Sequence, residues 1–299
     1  MLELHCHTTY SDGTLTPEAL VAQAVASGVK ALAITDHDTM AGCQPAQAAA
    51  QGCGLAIIPG VEMSTVYNGR SLHILGFYPD PQKLEPCLAE RLAGRKRRAQ
   101  AMVDRLSALG VPVDYPEMRG GMAPGRPHIA RALLEAGHVT TTQEAFERYL
   151  GDGKPAYVCY EKFSSADGIA HLLACGGVPV WAHPYLFRGG TVAEVLPELV
   201  AAGLRGIEVY HPNHSPRQVT QLLALCDRYD LLATGGSDYH GPNPRSATAR
   251  AARVPQDPGL NQFRLPLTLL QPVWQAALAL QTADSPNRSL EMSPWGEIE

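Results

Sequence analysis

The chain has 299 residues, 45% hydrophobic and 18% charged, enough apolar surface for one large core or two modest ones, which excludes an intrinsically disordered chain. Twenty-four Lys and Arg against 29 Asp and Glu give a formal net charge of -5, which excludes a protein that coats nucleic acid or an anionic membrane with a basic surface. No apolar run approaches the ~18 residues of a membrane span, the N-terminus has no targeting pattern, and the seven cysteines contain no C-x-x-C pair, so the expectation is a cytoplasmic protein with reduced thiols.

Short apolar runs alternate with helical patterns, the signature of β/α units around a parallel sheet. Strands are predicted at 2–7, 31–35, 55–58 and 72–75. The first is followed by a turn through Ser11, Asp12 and Gly13, and then by a helix that opens at Thr16-Pro17. From 79 to 157 the periodicity predicts helices (88–109, 127–136, 143–150) and no strand. The β/α rhythm returns with a helix at 166–175, strands at 178–182, 206–210 and 232–234, and helices at 192–200 and 219–226. The expected organisation is a barrel domain made of 1–78 and 158–283, an inserted helical substrate-recognition subdomain at 79–157, and a loose tail at 284–299.

The 11 histidines are the anomaly in this composition, and their placement carries the functional argument. Proposed strands end in metal-compatible side chains: His5 and His7, Asp36 and His37, Glu62, His73, His183, and Asp238 and His240. In a β/α barrel the carboxyl ends of the strands converge on one face, so ligands from distant positions meet there. Period-two alternation puts His5 and His7 on one side of their strand and Cys6 on the other, as a packing residue. Imidazole and carboxylate without organised thiolate suit zinc, manganese or iron. Each histidine alone reads as a core or surface residue. The ordered set His5-x-His7, Ser11-Asp12-Gly13, Thr35-Asp36-His37-Asp38, Gly60-Val61-Glu62, Ala182-His183-Pro184 and Ser237-Asp238-Tyr239-His240 does not.

At these residues the chain resembles the polymerase and histidinol phosphatase (PHP) family of metal-dependent phosphoesterases, over 1–78 and about 176–242. The resemblance implies a distorted (β/α)7 barrel with a site for three divalent ions. It assigns His5, His7, Glu62 and Asp238 to the first ion, Glu62, His73 and His183 to the second, and Asp12, His37 and His240 to the third. Asp36 would orient an imidazole N–H from behind, or serve as a turn carboxylate.

The insertion narrows the resemblance. Gly125-Arg126-Pro127-His128-Ile129-Ala130-Arg131 looks like the helix start of a PHP subgroup acting on nucleoside 3′,5′-bisphosphates and short RNA 5′ ends. Arg126 would fork two phosphate oxygens and His128 donate another hydrogen bond, the alternative being an ordinary helix start with Pro127 at N1. His211, His214 and Lys154 are further phosphate-binding candidates, with His214 the better fit to the subgroup. The basic run Arg91, Arg95, Lys96, Arg97 and Arg98 reads as a solvated helix face or as an attractor of oligonucleotides.

The expected reaction is hydrolysis of the 3′-phosphate of a nucleoside 3′,5′-bisphosphate such as pAp, by attack of a metal-activated hydroxide on phosphorus. Glu62 and Asp238 would hold the metals, and His214 or a metal-bound water would protonate the leaving oxygen. The alternatives are 5′-3′ exoribonuclease action on short RNA, histidinol-phosphate hydrolysis, and a noncatalytic metal-dependent nucleotide sensor. The expected partner is a small phosphorylated nucleotide or short oligonucleotide, with neither a membrane nor a stable long nucleic acid.

Overall fold

A computed structural model describes residues 1–116, 121–242 and 259–284. Beyond residue 284, the tail expected at 284–299 lies outside the described residues. Seven strands, β1 (Leu2–Glu3), β2 (Ala31–Ile34), β3 (Ala56–Tyr67), β4 (Arg70–Phe77), β5 (Val178–Trp181), β6 (Gly206–Tyr210) and β7 (Leu232–Gly235), pair in chain order. The sheet curls into a nearly closed barrel. Beyond the short β1, the chain through Cys6 bridges Tyr239 in parallel, and His7 N–H donates to the Tyr239 carbonyl at 2.9 Å.

The expectation of a parallel sheet holds for four of the pairings and fails for two. β3 and β4 form a long antiparallel hairpin, and β4 is antiparallel to β5 as well. The runs at 55–58 and 72–75 are therefore parts of strands 12 and 8 residues long. The cause is the two-residue turn at Asn68-Gly69, where φ is 48° and 71°. Asn-Gly supplies positive φ at both centres of a tight hairpin turn whose twist matches that of the flanking strands. Glu62 and His73 consequently lie within strands and not at strand ends, on a ribbon that continues past the barrel.

The helices are α1 (Pro17–Ala26), α2 (Cys43–Ala50), α3 (Pro81–Ala108), α4 (Arg126–Glu135), α5 (Thr142–Ala145), α6 (Ser165–Ala174), α7 (Val192–Ala201), α8 (Pro216–Tyr229) and α9 (Leu270–Asp284). The Thr16 side chain accepts from Ala19 N–H with Pro17 in the first turn of α1, the expected cap. The helix expected over 143–150 is instead α5 followed by a wider-wound turn at Phe146–Leu150. α9 is a helix beyond those expected from the sequence. Its Leu270, Val273 and Ala277 pack with Leu2, Leu4, Val178 and Val180 of the barrel. α3 starts on the barrel, where Leu84 and Leu88 join the cluster around Val61, Ile74 and Leu172. It continues into a separate apolar cluster of Met102, Leu106, Ile129, Leu133, Leu150 and their neighbours. Among the described residues no helix is long and apolar enough to cross a membrane.

Gly69→Val puts a β-branched residue at φ 71° and should lower the unfolding free energy by about 1–2 kcal/mol, read as an earlier midpoint in urea. An unchanged midpoint would contradict the turn assignment.

Candidate metal centre

Glu62 lies on β3 where the chain beyond β2 runs alongside it: His37 bridges Glu62, Glu62 N–H donates to Asp36 and Asp38 N–H to Glu62. Its carboxylate, 1% exposed, collects five imidazoles. Oε2 is 3.3 Å from His5 Nε2, 3.2 Å from His7 Nε2 and 3.0 Å from His37 Nδ1, and Oε1 is 2.8 Å from His73 Nδ1 and 3.0 Å from His183 Nε2. His73 reaches it diagonally across the hairpin: its direct partner is Ser64, two residues along the same face.

Asp238 adds a second carboxylate, with Oδ1 at 3.3 Å from His5 Nε2 and 3.1 Å from His7 Nε2. Asp12 forms a third centre, 3.2 Å from His240 Nε2, 3.6 Å from His7 Nδ1 and 3.8 Å from His37 Nε2. Donor atoms of His5, His7, Glu62 and Asp238 lie within 4.8 Å of one another, as do those of His7, Asp12, His37 and His240, and of His37, Glu62 and His73. Eight of the nine residues predicted as ligands fall in these groups, and the ninth, His183, joins them through Glu62. His37 turns one ring nitrogen to Glu62 and the other to Asp12. The floor is closed, with His5 and His7 at 0% exposure, and the rim is open at Asp238 (23%) and His240 (38%).

These donors fit divalent cations. His5 Nε2, His7 Nε2, His37 Nδ1 and Asp12 Oδ1 are buried without a hydrogen-bond partner, an arrangement that costs free energy unless something charged lies between them. The four distances of 3.1 to 3.3 Å that join His5 and His7 to Glu62 and Asp238 are short enough for one cation with bonds of about 2.0–2.2 Å to reach donors on both sides. Burial by itself would raise the carboxyls of Asp12, Glu62 and Asp238, but the surrounding imidazoles hold all three well below the ordinary range. Against its burial, contacts with Asp238 and Glu62 push His7 up to about 10, so protons compete with cations for this nitrogen. His183 and Asp238 sit at φ 31° and 51°, backbone strain of the kind that collects at functional sites.

A surrounding set of contacts aims the donors. Glu208, buried on β6, takes His5 Nδ1 at 2.9 Å and His183 N–H at 2.7 Å, turning His5 Nε2 inward. Sequence reasoning missed it, although a carboxylate in Gly206–Tyr210 between apolar neighbours was the available signal. Asp36 accepts from Thr8 N, Thr8 Oγ1 and Ser11 Oγ, and Ser11 Oγ lies 3.2 Å from His7 Nδ1. It therefore orients that imidazole through a serine and not directly. Glu3, on the same strand face as His5 and His7, is pushed up to about 7 by burial and accepts from Ser237 and Asn261 N–H, fixing the approach to Asp238.

The insertion reaches this centre through α3 and the start of α4. Arg95 is buried and donates to Asp38, Ser64 and the Pro124 carbonyl. A Cβ at Gly125 would lie 3.7 Å from Asp12 Oδ2, so α4 starts against the centre. Arg126 Nη1 donates to Asp152 at 3.0 Å. His128 Nδ1 accepts Gly125 N–H, which leaves Nε2 as its donor. His211 is buried with Nε2 3.6 Å from Asp238 Oδ2, and its Nδ1 accepts from Asn213 N–H. His214 is one ring further out, 5.2 Å from His211 between centroids, with Nδ1 on the Val209 carbonyl. Lys154 is an exposed residue of the loop after Leu150. The basic run is neither a solvated face nor an RNA attractor: Arg95 and Arg98 are buried, Arg97 pairs with Glu90 and Glu161, and Arg91 stacks on Phe163. Only Lys96 and Arg97 of the five are exposed.

A family profile described as PHP domain matches residues 3–149. The chain is 39% identical over 264 residues to the 5′-3′ exoribonuclease Rnm of Escherichia coli, covering 85% of this chain and 89% of that protein. It is 36% identical over 256 residues to the 3′,5′-nucleoside bisphosphate phosphatase of Chromobacterium violaceum, covering 81% and 87%. A solved structure from Bifidobacterium adolescentis, assigned as a metal-dependent phosphoesterase, has 35% identity and a TM-score of 0.76 over 90% of this chain and 96% of that one.

Glu208→Gln should weaken metal affinity about 10- to 100-fold while keeping the fold, measured by competition with a chelating indicator. Unaltered affinity would mean that the Glu208 contact to His5 does not support the centre.

Proposed function

Because the chain belongs to the PHP domain family and is a metal-dependent phosphoesterase, we propose that it hydrolyses the 3′-phosphate of nucleoside 3′,5′-bisphosphates of the pAp type. The observation that supports the reading is the start of α4 at Gly125 against Asp12, the residue before Arg126, whose side chain rests on Asp152 and the Leu150 carbonyl. One phosphate would be held at the donor cluster and its metals while Arg126 would hold the second. Three divalent ions, manganese, zinc or iron, would be held by His5, His7, Glu62 and Asp238, by Glu62, His73 and His183, and by Asp12, His37 and His240. When bound they neutralise phosphoryl oxygens and activate water at neutral pH.

The protein groups then divide the work. His183 and His240 serve as ligands, so their lone pairs are committed and neither acts as a base. Arg126 keeps Nε and Nη2 for a phosphate beside its contact to Asp152. Lys154, in the loop beyond Asp152, is an auxiliary anion contact. With Nδ1 accepting from Asn213, His211 carries its proton on Nε2, 3.6 Å from Asp238, and can donate it to the leaving oxygen. His214 directs its Nδ1 proton to the Val209 carbonyl, and burial lowers its pKa. These contacts favour His211 over His214 as the donor to the leaving oxygen, with the two rings 5.2 Å apart. The helical segment at 79–157 would act as the cover that recognises the second phosphate.

A second reading, stepwise release of 5′ nucleotides from short RNA, is favoured by the name of the relative from Escherichia coli and uses the same attack on phosphorus. Purified protein with manganese should release phosphate from pAp faster than nucleotide from a short 5′-phosphorylated RNA, and leave histidinol phosphate nearly untouched. Release from the RNA alone would favour the second reading, and rapid release from histidinol phosphate would overturn both. Arg126→Ala should raise KM for pAp roughly tenfold or more, the scale of a lost charge-assisted hydrogen bond, with a smaller change for a nucleoside monophosphate. Equal effects on the two would remove Arg126 from recognition of the second phosphate. Chelator should abolish turnover and added manganese restore it.

A further inference from the structure

A cavity of about 480 Å³ lies between the tip of the β3–β4 hairpin and residues 157–164, lined among others by Val66, Ser71, Tyr157, Tyr160, Lys162 and Phe163. Nothing in the metal chemistry uses it. Its size falls in the ~300–1,000 Å³ range of small-molecule sites. Three observations say what it suits.

The first is position. Ser71 Oγ is 3.0 Å from His73 Nε2, and the other nitrogen of that ring faces Glu62 at 2.8 Å, so a single imidazole separates the cavity wall from the donor cluster. On the other side the Tyr157 ring lies 5.6 Å from the Arg126 guanidinium. A nucleotide held by the cluster and Arg126 has the cavity within reach of its sugar. The second is the wall. Each aromatic ring carries a guanidinium: Arg98 over Tyr160 at 3.8 Å, Arg91 over Phe163 at 4.3 Å, and Arg126 beside Tyr157. Arg98 is itself buried and donates to the Val158 carbonyl, so the Tyr160 ring is backed by a fixed group. Flat rings already positioned favour a flat π-ligand. The third is charge: no carboxylate is among the lining residues, so nothing there repels a phosphorylated ligand.

We propose that this cavity receives the nucleobase of the substrate, stacked against Tyr157 and Tyr160. The proposal rests on the nucleotide reading above. Ser71 is already engaged with His73, and the Asn68 amide donates to the Gly189 carbonyl, while Lys162 and the hydroxyls of Tyr157 and Tyr160 are further polar groups of the wall. The pocket prefers purines to pyrimidines modestly, by stacking area.

The test compares pAp with ribose 3,5-bisphosphate, which keeps both phosphates and lacks the base. The wild-type protein should prefer pAp in kcat/KM by about tenfold or more, the scale of one base–aromatic stack. Tyr160→Leu should collapse that preference toward unity, whereas Tyr157→Phe, which keeps the ring, should retain it. A preference that survives Tyr160→Leu with the fold intact by circular dichroism overturns the proposal, as does a wild-type enzyme indifferent to the base. A variant-free readout uses Cys159, exposed on the cavity wall. AMP should slow its alkylation, mapped by mass spectrometry, and ribose 5-phosphate should not; equal rates with both overturn the proposal. If wild-type protein releases phosphate from neither bisphosphate, the catalytic reading fails, while the alkylation result still decides the cavity.

Discussion

A single buried carboxylate organises this protein. Glu62 would be prohibitively costly to bury as an isolated anion, yet five imidazoles stand at 2.8 to 3.3 Å from its two oxygens. They arrive from the segment that continues β1, the loop after β2, the partner strand of the hairpin and the loop after β5. The electrostatic need of one residue thus depends on nearly every turn of the barrel closing correctly. The converse also holds: the inward nitrogens of His5, His7 and His37 lack hydrogen-bond partners, and a cation would resolve both demands together.

Around that centre lies a second set of carboxylates with a different task. Glu208, Asp36 and Asp38 do not enter the donor cluster; they hold the groups that form it. Glu208 fixes His5 and the backbone of His183, and Asp36 fixes the loop from Thr8 to Ser11. Asp38, next to His37 in the chain and at φ 52°, binds Arg95 of α3. That ion pair links the helical segment to the ligand loop. Because Arg95 also holds Ser64 and Pro124, the start of α4 is referenced to the same frame as the candidate donors.

The candidate donor cluster is legible in the sequence because its chemistry is carried by residue type: histidines and carboxylates that recur in order after apolar runs gather at one end of a barrel. Most helices are legible through caps and apolar spacing, as at Thr16-Pro17. The hairpin is not, because the apolar runs at 55–58 and 72–75 have the length and spacing of separate parallel strands, although Asn68-Gly69 announces a tight turn. Glu208 escapes a sequence reading because one carboxylate in a short apolar strand has no motif, and its meaning comes from His5, more than 200 residues away. The basic run misleads for the opposite reason: Arg91 to Arg98 repeats a charge, but burial, Glu90, Glu161 and aromatic rings absorb most of it. Spacing cannot rank His214 against His211, since they differ in which ring nitrogen faces a carbonyl and which an amide.

By itself, the sequence determined most of the element types and the residues that gather in the candidate cluster, because local propensity and ligand chemistry are properties of residues and near neighbours. Only the tertiary structure decided the reversed direction of β4, the sharing of Glu62 among five rings, the burial of Arg95 and Arg98, and the cavity beside the hairpin. Each of these depends on distances between segments remote in the chain, and distance, with the desolvation that accompanies it, sets whether a charge is a ligand, a brace or a surface group.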